Sequence, residues 1–411
     1  MKRLITLSLL YCPILLSAQG YQVQVQGQKQ QAMGNAGTAL IQDGAAIFYN
    51  PGGVSFLKEN SISAGGNAAI VNTSFRDSLT GQVTNSKIPV ATPITFYAVY
   101  GVDSTKAKVL QNFKFGLGVY TPFGGSANYP SGWTGRYVLN SLDLKVINIQ
   151  PTVSYKINDK IGLGVGFVYS TGSIAVNKDL YLSTLSGGES TANITAKLAG
   201  YGVNAGVYFK PTDDLSIGLS YRSQMKLNSS GGQANFTVPA SLKDSVPSGA
   251  AKLTFPTPTV ISLGFGYKVT DKFSLALDIN YIGFKIFDTL RVQFANQTGS
   301  LKNIADPRGY KNTYSFQLGG QYKVIDALAV RLGIRYALTP IPNGYTTAEG
   351  ADSDHLILCG GLGYNINKHF TVDASYSFES IYRKDHNNFY GLVGEYKTYA
   401  SIAGMSLSYK F

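Results

Sequence analysis

The chain has 411 residues, among them 46 glycines, 28 tyrosines and 21 phenylalanines, yet only 14% are charged, where a soluble domain has about a quarter. Its net charge of +12 is an excess that often marks a nucleic-acid binder, but the N-terminus describes an exported chain, which rarely meets nucleic acid. Three histidines, none at ligand spacing from another, and two cysteines leave no metal site to expect and no cofactor.

Met1, Lys2 and Arg3 form a positive n-region, Leu4 to Leu16 an apolar run, and Ser17-Ala18-Gln19 a site for signal peptidase. Residues 1–19 therefore read as a secretory signal peptide, cut after Ala18 or Gln19. Cys12 does not make a lipoprotein signal, because Tyr11 stands where a small residue is needed. Cleavage leaves Cys359 as the one cysteine, so no intrachain disulfide can form. Losing Lys2 and Arg3 lowers the charge from +12 by two, to +10.

Residues 20–57 follow, with Gln31-Ala32-Met33-Gly34-Asn35-Ala36-Gly37-Thr38-Ala39 and Asp43-Gly44-Ala45-Ala46-Ile47-Phe48-Tyr49-Asn50-Pro51-Gly52-Gly53. So many small side chains read poorly as a membrane strand. They suit a compact segment packed inside a barrel, or alternatively a disordered leader or periplasmic linker.

From residue 58 onward the pattern is one of two-faced strands. Leu328, Val330, Leu332, Ile334 and Tyr336 alternate with Ala329, Arg331, Gly333 and Arg335, and Ile161, Leu163, Val165, Phe167 and Tyr169 with Gly162, Gly164 and Gly166. No apolar run beyond the signal reaches the roughly 18 residues of a membrane helix. Short turns recur as Tyr155-Lys156-Ile157-Asn158-Asp159, Tyr267-Lys268-Val269-Thr270-Asp271 and Tyr322-Lys323-Val324-Ile325-Asp326. Their spacing is irregular, which excludes a solenoid and fits short turns on one side of a membrane with long loops on the other.

About fourteen strands can be counted, near 61–73, 91–100, 113–122, 143–155, 161–175, 196–209, 215–228, 257–267, 273–289, 312–322, 328–338, 354–364, 370–383 and 396–411. The expected fold is all-β, a transmembrane antiparallel barrel in the bacterial outer membrane, formed by residues 58–411. The last strand places Tyr409 and Phe411 on one apolar face with Ala403, Met405 and Leu407. This reads as an assembly signal for the barrel assembly machinery, or simply as an amphipathic last strand.

Asn50-Pro51-Gly52, with Gly118-Val119-Tyr120-Thr121-Pro122-Phe123-Gly124, Trp133-Thr134-Gly135-Arg136-Tyr137, Tyr221-Arg222-Ser223 and Phe255-Pro256-Thr257-Pro258, resembles the outer-membrane long-chain fatty acid transporter (FadL/TodX) family. That family carries Asn-Pro-Ala where this chain has Asn50-Pro51-Gly52, so a small residue is kept. The resemblance covers the mature chain. It implies a barrel plugged by a hatch, here residues 20–57 with Asn50, Pro51 and Gly52 at its gate. It also implies passive uptake of fatty acids or other hydrophobic small molecules, from an extracellular groove to a lumen pocket and out sideways at a kinked strand.

Proline cannot donate to a ladder and glycine permits bends, so Pro122, Phe123, Gly124 and Gly125 are the expected kink, unless the strand simply ends in a loop. Leu180, Tyr181, Leu182 and Leu185, then Phe236, Val238, Val246, Leu253 and Phe255, are apolar positions in expected loops and so candidates for the groove, although such residues also pack their own loop. Arg222, Lys226, Arg331 and Arg335 fall on faces read as inward, where they hold a carboxylate head group or form ion pairs with Asp278, Asp373 and Glu379. His355 lies inward beside Asp354 without a nucleophile placed by any motif, so no enzyme is expected. A monomer surrounded by outer-membrane lipid is expected. The competing readings are a hydrophilic porin, which needs no hatch, and an adhesin or scaffold barrel.

Overall fold

The computed structural model describes residues 21–102, 108–181 and 190–411; the signal peptide, Leu182 and Leu185 lie outside them. The strands are antiparallel, and the sheet closes on itself where β1 (Ser61–Asp77) pairs with β19 (Val393–Lys410) along its full length. Between them run β3 (Ile94–Gly101), β4 (Phe113–Asn128), β5 (Ser141–Lys156), β6 (Ile161–Asp179) and β7 (Thr191–Phe209). β12 (Phe273–Ile282), β15 (Thr313–Ile325), β16 (Leu328–Ala337), β17 (His355–Asn365) and β18 (Phe370–His386) complete the second half of the ring. The seventh and eighth barrel strands are each broken in two, into β8 (Leu215–Arg222) and β9 (Met225–Thr237), and β10 (Gly249–Thr257) and β11 (Val260–Lys268). Counted so, the barrel has the fourteen strands expected. Short strand β2 (Val83–Asn85) pairs with the far end of β1, while β13 (Thr289–Phe294) and β14 (Ile304–Pro307) pair with each other in a second sheet that joins β10.

Closure removes every sheet edge, which is the condition for a sheet to sit in hydrocarbon. The outward faces are apolar as that environment demands: Val165, Phe167, Leu332 and Leu358 are all more than half exposed to it. At the short-turn end, three lysine–aspartate turns are closed by ion pairs. Lys156 meets Asp159 at 2.6 Å, Lys210 meets Asp213 at 2.8 Å and Lys268 meets Asp271 at 2.5 Å. The hydrogen bond from each lysine holds the partner carboxyl below its ordinary range.

Two expectations about strand extent are corrected. Residues 229–256, read as one long loop, are largely strand, because β9 runs to Thr237 and β10 starts at Gly249. β12 stops at Ile282 and passes into a 3-10 turn at Phe284–Phe287. The breaks at Ser223-Gln224 and Pro258-Thr259 also reverse the alternation. In β8 the even positions Ser216, Gly218 and Ser220 face inward, whereas in β9 the odd positions Met225 and Leu227 do. Each break slips the alternation by one residue, and in a period-two pattern a one-residue slip moves every later side chain to the other face.

Residues 25–39 and 44–55 are buried throughout. Helix α1 (Gln28–Ala32) packs against β16, β17 and β18, while α2 (Ala46–Tyr49) and the 3-10 turn Pro51–Phe56 pack against strands from β4 to β8. Inward glycines make this approach possible. A Cβ at Gly333 would lie 2.1 Å from the carbonyl carbon of Met33, and one at Gly164 2.2 Å from that of Pro51.

Candidate functional site

The N-terminal residues are held by side chains of the barrel wall. Asn50 is fully buried; its amide donates to the carbonyls of Thr38 at 2.8 Å and Val207 at 3.0 Å, and its oxygen accepts from Gly52 N–H at 3.0 Å. That last bond caps the 3-10 turn which Pro51 opens, a position where a missing N–H costs nothing. The final carbonyls of α2 have no partner within the helix. Gln150 and Asn204 donate to that of Ile47 at 2.8 and 3.0 Å, and Asn204 and Arg222 to that of Phe48 at 2.9 and 3.1 Å. Across the lumen, the Asp278 carboxylate accepts from the N–H groups of Gly37 and Thr38, both at 2.9 Å.

At Pro122 the wall itself is irregular. β3 and β4 pair from Gly101↔Lys114 only as far as Thr95↔Tyr120, and the β4–β5 register slips between Tyr120 and Phe123. The strand nonetheless continues to Asn128, so it bulges where proline breaks the ladder and does not simply end. Above Tyr120 the place beside β4 is taken by residues 21–23. Val23 N–H donates to the Pro122 carbonyl at 2.9 Å, and Gly124 N–H to that of Tyr21 at 3.1 Å.

A cavity of about 40 Å³ lies at this height. Gln22, Val23 and Gln24 bound it on one side, Pro122 and Phe123 on another, and Arg222, Met225 and Pro258 at the strand breaks. Above it the inward face is apolar. Val146, Leu198, Leu227, Phe255, Phe284 and Phe287 form one buried cluster that continues to Phe294, Leu301 and Ile341 in the outer loops. The Tyr21 ring meets Phe255, Phe284 and Phe287 edge-on at 4.7, 5.5 and 5.3 Å, with its hydroxyl donating to the Pro256 carbonyl at 2.7 Å.

The four cations separate. Arg222 borders the cavity, its guanidinium 4.2 Å from the centre of the Phe48 ring. Lys226 is exposed on the outer face; the reading of it as inward is corrected by the break at Ser223-Gln224, which reverses the faces. Arg331 is inward but engaged, donating to Asp373 at 2.8 Å and Gln321 at 2.7 Å, with Lys29 3.7 Å from the same aspartate. Arg335 is buried within the electrostatic reach of Glu379. His355 lies 3.4 Å from Glu379.

The groove candidates also divide. Leu253 and Phe255 are buried in the apolar cluster, together with Val246, and Phe236 and Val238 pack against it half-buried. Phe236, Leu253 and Phe255 lie on β9 and β10 and not in a loop, so they are lumen residues. Tyr181 is exposed, its ring 5.3 Å from that of Tyr137, and Leu180 N–H donates to the Ser190 carbonyl. Sequence reasoning missed Tyr21, Met225, Leu227, Phe284 and Phe287. The signal for two of them was present: Met225-Lys226-Leu227-Asn228 places its hydrophobes in the opposite phase to Ser216, Gly218 and Ser220.

Comparison with known proteins matches residues 12–411 to the model of the outer membrane protein transport protein family (OMPP1/FadL/TodX). The long-chain fatty acid transport protein of Escherichia coli is 23% identical over 83% of this chain and 82% of its own length. Among solved structures, a FadL homologue of Pseudomonas aeruginosa superposes with a TM-score of 0.80 at 21% identity, covering 95% of this chain and 100% of that one. The toluene transporter TodX of Pseudomonas putida gives 0.71 at 18% identity, covering 93% and 97%.

Proposed function

The chain belongs to the outer-membrane transport family OMPP1/FadL/TodX, a family of channels for hydrophobic compounds and not of enzymes, and on that premise we propose how such a molecule crosses it. Fatty acids or hydrocarbons enter the apolar column from the outer loops, reach the cavity beside Arg222, and leave sideways into the membrane at the Pro122 bulge. Residues 20–57 act as a hatch, locked by Asn50, Pro51 and Gly52, and residues 58–411 form the barrel. The physical logic is that a lipid gains nothing from an aqueous pore, while a continuous apolar path spares it full hydration.

One observation carries the reading. The cavity is bounded by residues 22–24 on one side and by Pro122 and Phe123 on the other, and the apolar cluster opens onto it from above. Its volume of about 40 Å³ holds a water or two and is too small for a fatty acid, so passage requires Tyr21–Gln24 to move off β4. Arg222 is placed to take a carboxylate, whose burial without a charged partner is costly.

Filling the cavity tests this. Val168 on β6 is buried and lines the cavity, so Val168→Phe should weaken equilibrium binding of both a long-chain fatty acid and toluene to the folded barrel in detergent, without altering its heat-modifiable migration in gels. Unchanged binding of both would place the site elsewhere.

A further inference from the structure

The outward face of β5 to β10 carries a row of lysines separated by serines. Lys145 on β5 pairs in register with Ser173 on β6, Ser173 with Lys197 on β7, and Lys197 with Ser230 on β9. On β10 the partners Ala250↔Gln233 above and Thr254↔Asn228 below put Lys252 opposite Ser230 and Gly231. All five side chains are exposed on the side away from the lumen. With neighbouring strands ~4.8 Å apart, the lysines are rooted about 10 Å from one another along a row of about 20 Å.

The height of the row identifies its surroundings. Tyr169 and Tyr201 pair across β6 and β7 with rings 5.4 Å apart, four residues below Ser173 and Lys197 in their strands. Four residues of a tilted strand rise about 10 Å. Outward tyrosines mark the edge of the hydrocarbon, so the row stands in the headgroup layer above it. Below the tyrosines the same face offers Leu163, Val165 and Phe167 to acyl chains.

Charge along the row is hardly offset. Asp143 meets Lys145 at 2.8 Å, but both are exposed, and such pairs are weak and screened by salt. The far side of the barrel differs: there Glu395 on β19 sits in register between Lys384 on β18 and Arg76 on β1. A neutral serine occupies that intervening place in the row of lysines.

We propose that this row is a docking surface for a phosphorylated glycolipid of the outer leaflet. Its phosphates lie between successive lysines, where the serine hydroxyls donate as well, and its acyl chains lie on the apolar face below. The surface is separate from the lumen, so the proposal does not rest on the transport route.

The test uses the full barrel in detergent with lipid A and its dephosphorylated form as probes, read by native mass spectrometry. A lysine near an anionic lipid surface contributes about fivefold in affinity. The triple variant Lys145→Gln, Lys197→Gln, Lys252→Gln should bind lipid A at least about tenfold more weakly, and Lys197→Gln alone should fall between it and the parent. The double variant Arg76→Gln, Lys384→Gln should retain parental binding. Parental affinity in the triple variant, or equal affinity of the parent for the dephosphorylated lipid, would overturn the proposal.

Discussion

Arg222 stands over Phe48: its guanidinium is 4.2 Å from the ring centre and donates to the Phe48 carbonyl at 3.1 Å. The contact joins the barrel wall to α2 and sets a planar cation at the border of the cavity, below the apolar cluster. A guanidinium has five N–H donors, so engagement with one carbonyl leaves it able to receive a carboxylate. Arg222→Gln should therefore weaken a fatty acid by about tenfold or more while the methyl ester changes little, since hydrogen bonds to charged groups are worth roughly 1.5–3 kcal/mol. Equal losses for acid and ester, measured by displacement of a fluorescent fatty acid, would assign Arg222 to bracing α2 alone.

Arg331 should behave differently. It shares Asp373 with Lys29 deep in the wall, and removing one partner of a buried pair costs about 3 kcal/mol or more. Arg331→Gln should lower the thermal unfolding midpoint of the folded barrel without changing the preference for acid over ester. A changed preference at parental stability would return Arg331 to the ligand.

Gly333→Val is expected to unseat the N-terminal residues, because the new side chain meets Met33 and Gly34 backbone, which cannot swing aside. Overpacking of this kind costs about 1–3 kcal/mol. In planar bilayers the parent should conduct little, whereas Gly333→Val and a chain lacking residues 20–57 should both conduct steadily. A closed channel after the deletion would mean that these residues do not block ion flow.

Much of this architecture could be read from alternation. The fourteen strands, the lysine–aspartate turns and the inward placing of Arg331 and Arg335 follow from local pattern, which a period of two makes legible. The breaks at Ser223-Gln224 and Pro258-Thr259 were not anticipated, so Lys226 was assigned to the lumen and Phe255 to a loop. What lies inside the barrel was less accessible still. The bonds from Gly37 and Thr38 to Asp278 join residues 241 and 240 positions apart, and no local signal specifies such a pairing. Glycines at 162, 164 and 166 were visible as a face, but only the approach of Pro51 and Gly52 explains why positions 162 and 164 must lack side chains, while a Cβ at 166 would meet Gln150.

The C-terminal strand offers an independent check. Tyr409 and Phe411 stack with ring centres 5.8 Å apart on the lipid face, beyond Leu407 and Met405. If this face is read by the barrel assembly machinery, deletion of Phe411 should leave an exported chain with markedly reduced heat-modifiable migration and surface protease resistance. Parental levels of both would reduce the strand to an ordinary closing element.

The route itself is tested most directly where Gln22 bridges to Phe123 on β4. Gln22→Cys with Phe123→Cys, in a Cys359→Ala background, would tie the N-terminal residues to the bulge by a disulfide. With the barrel in liposomes, uptake of a labelled long-chain fatty acid should fall to the protein-free level under oxidising conditions and return on reduction. Undiminished uptake with the disulfide formed would contradict passage between Tyr21–Gln24 and the Pro122 bulge.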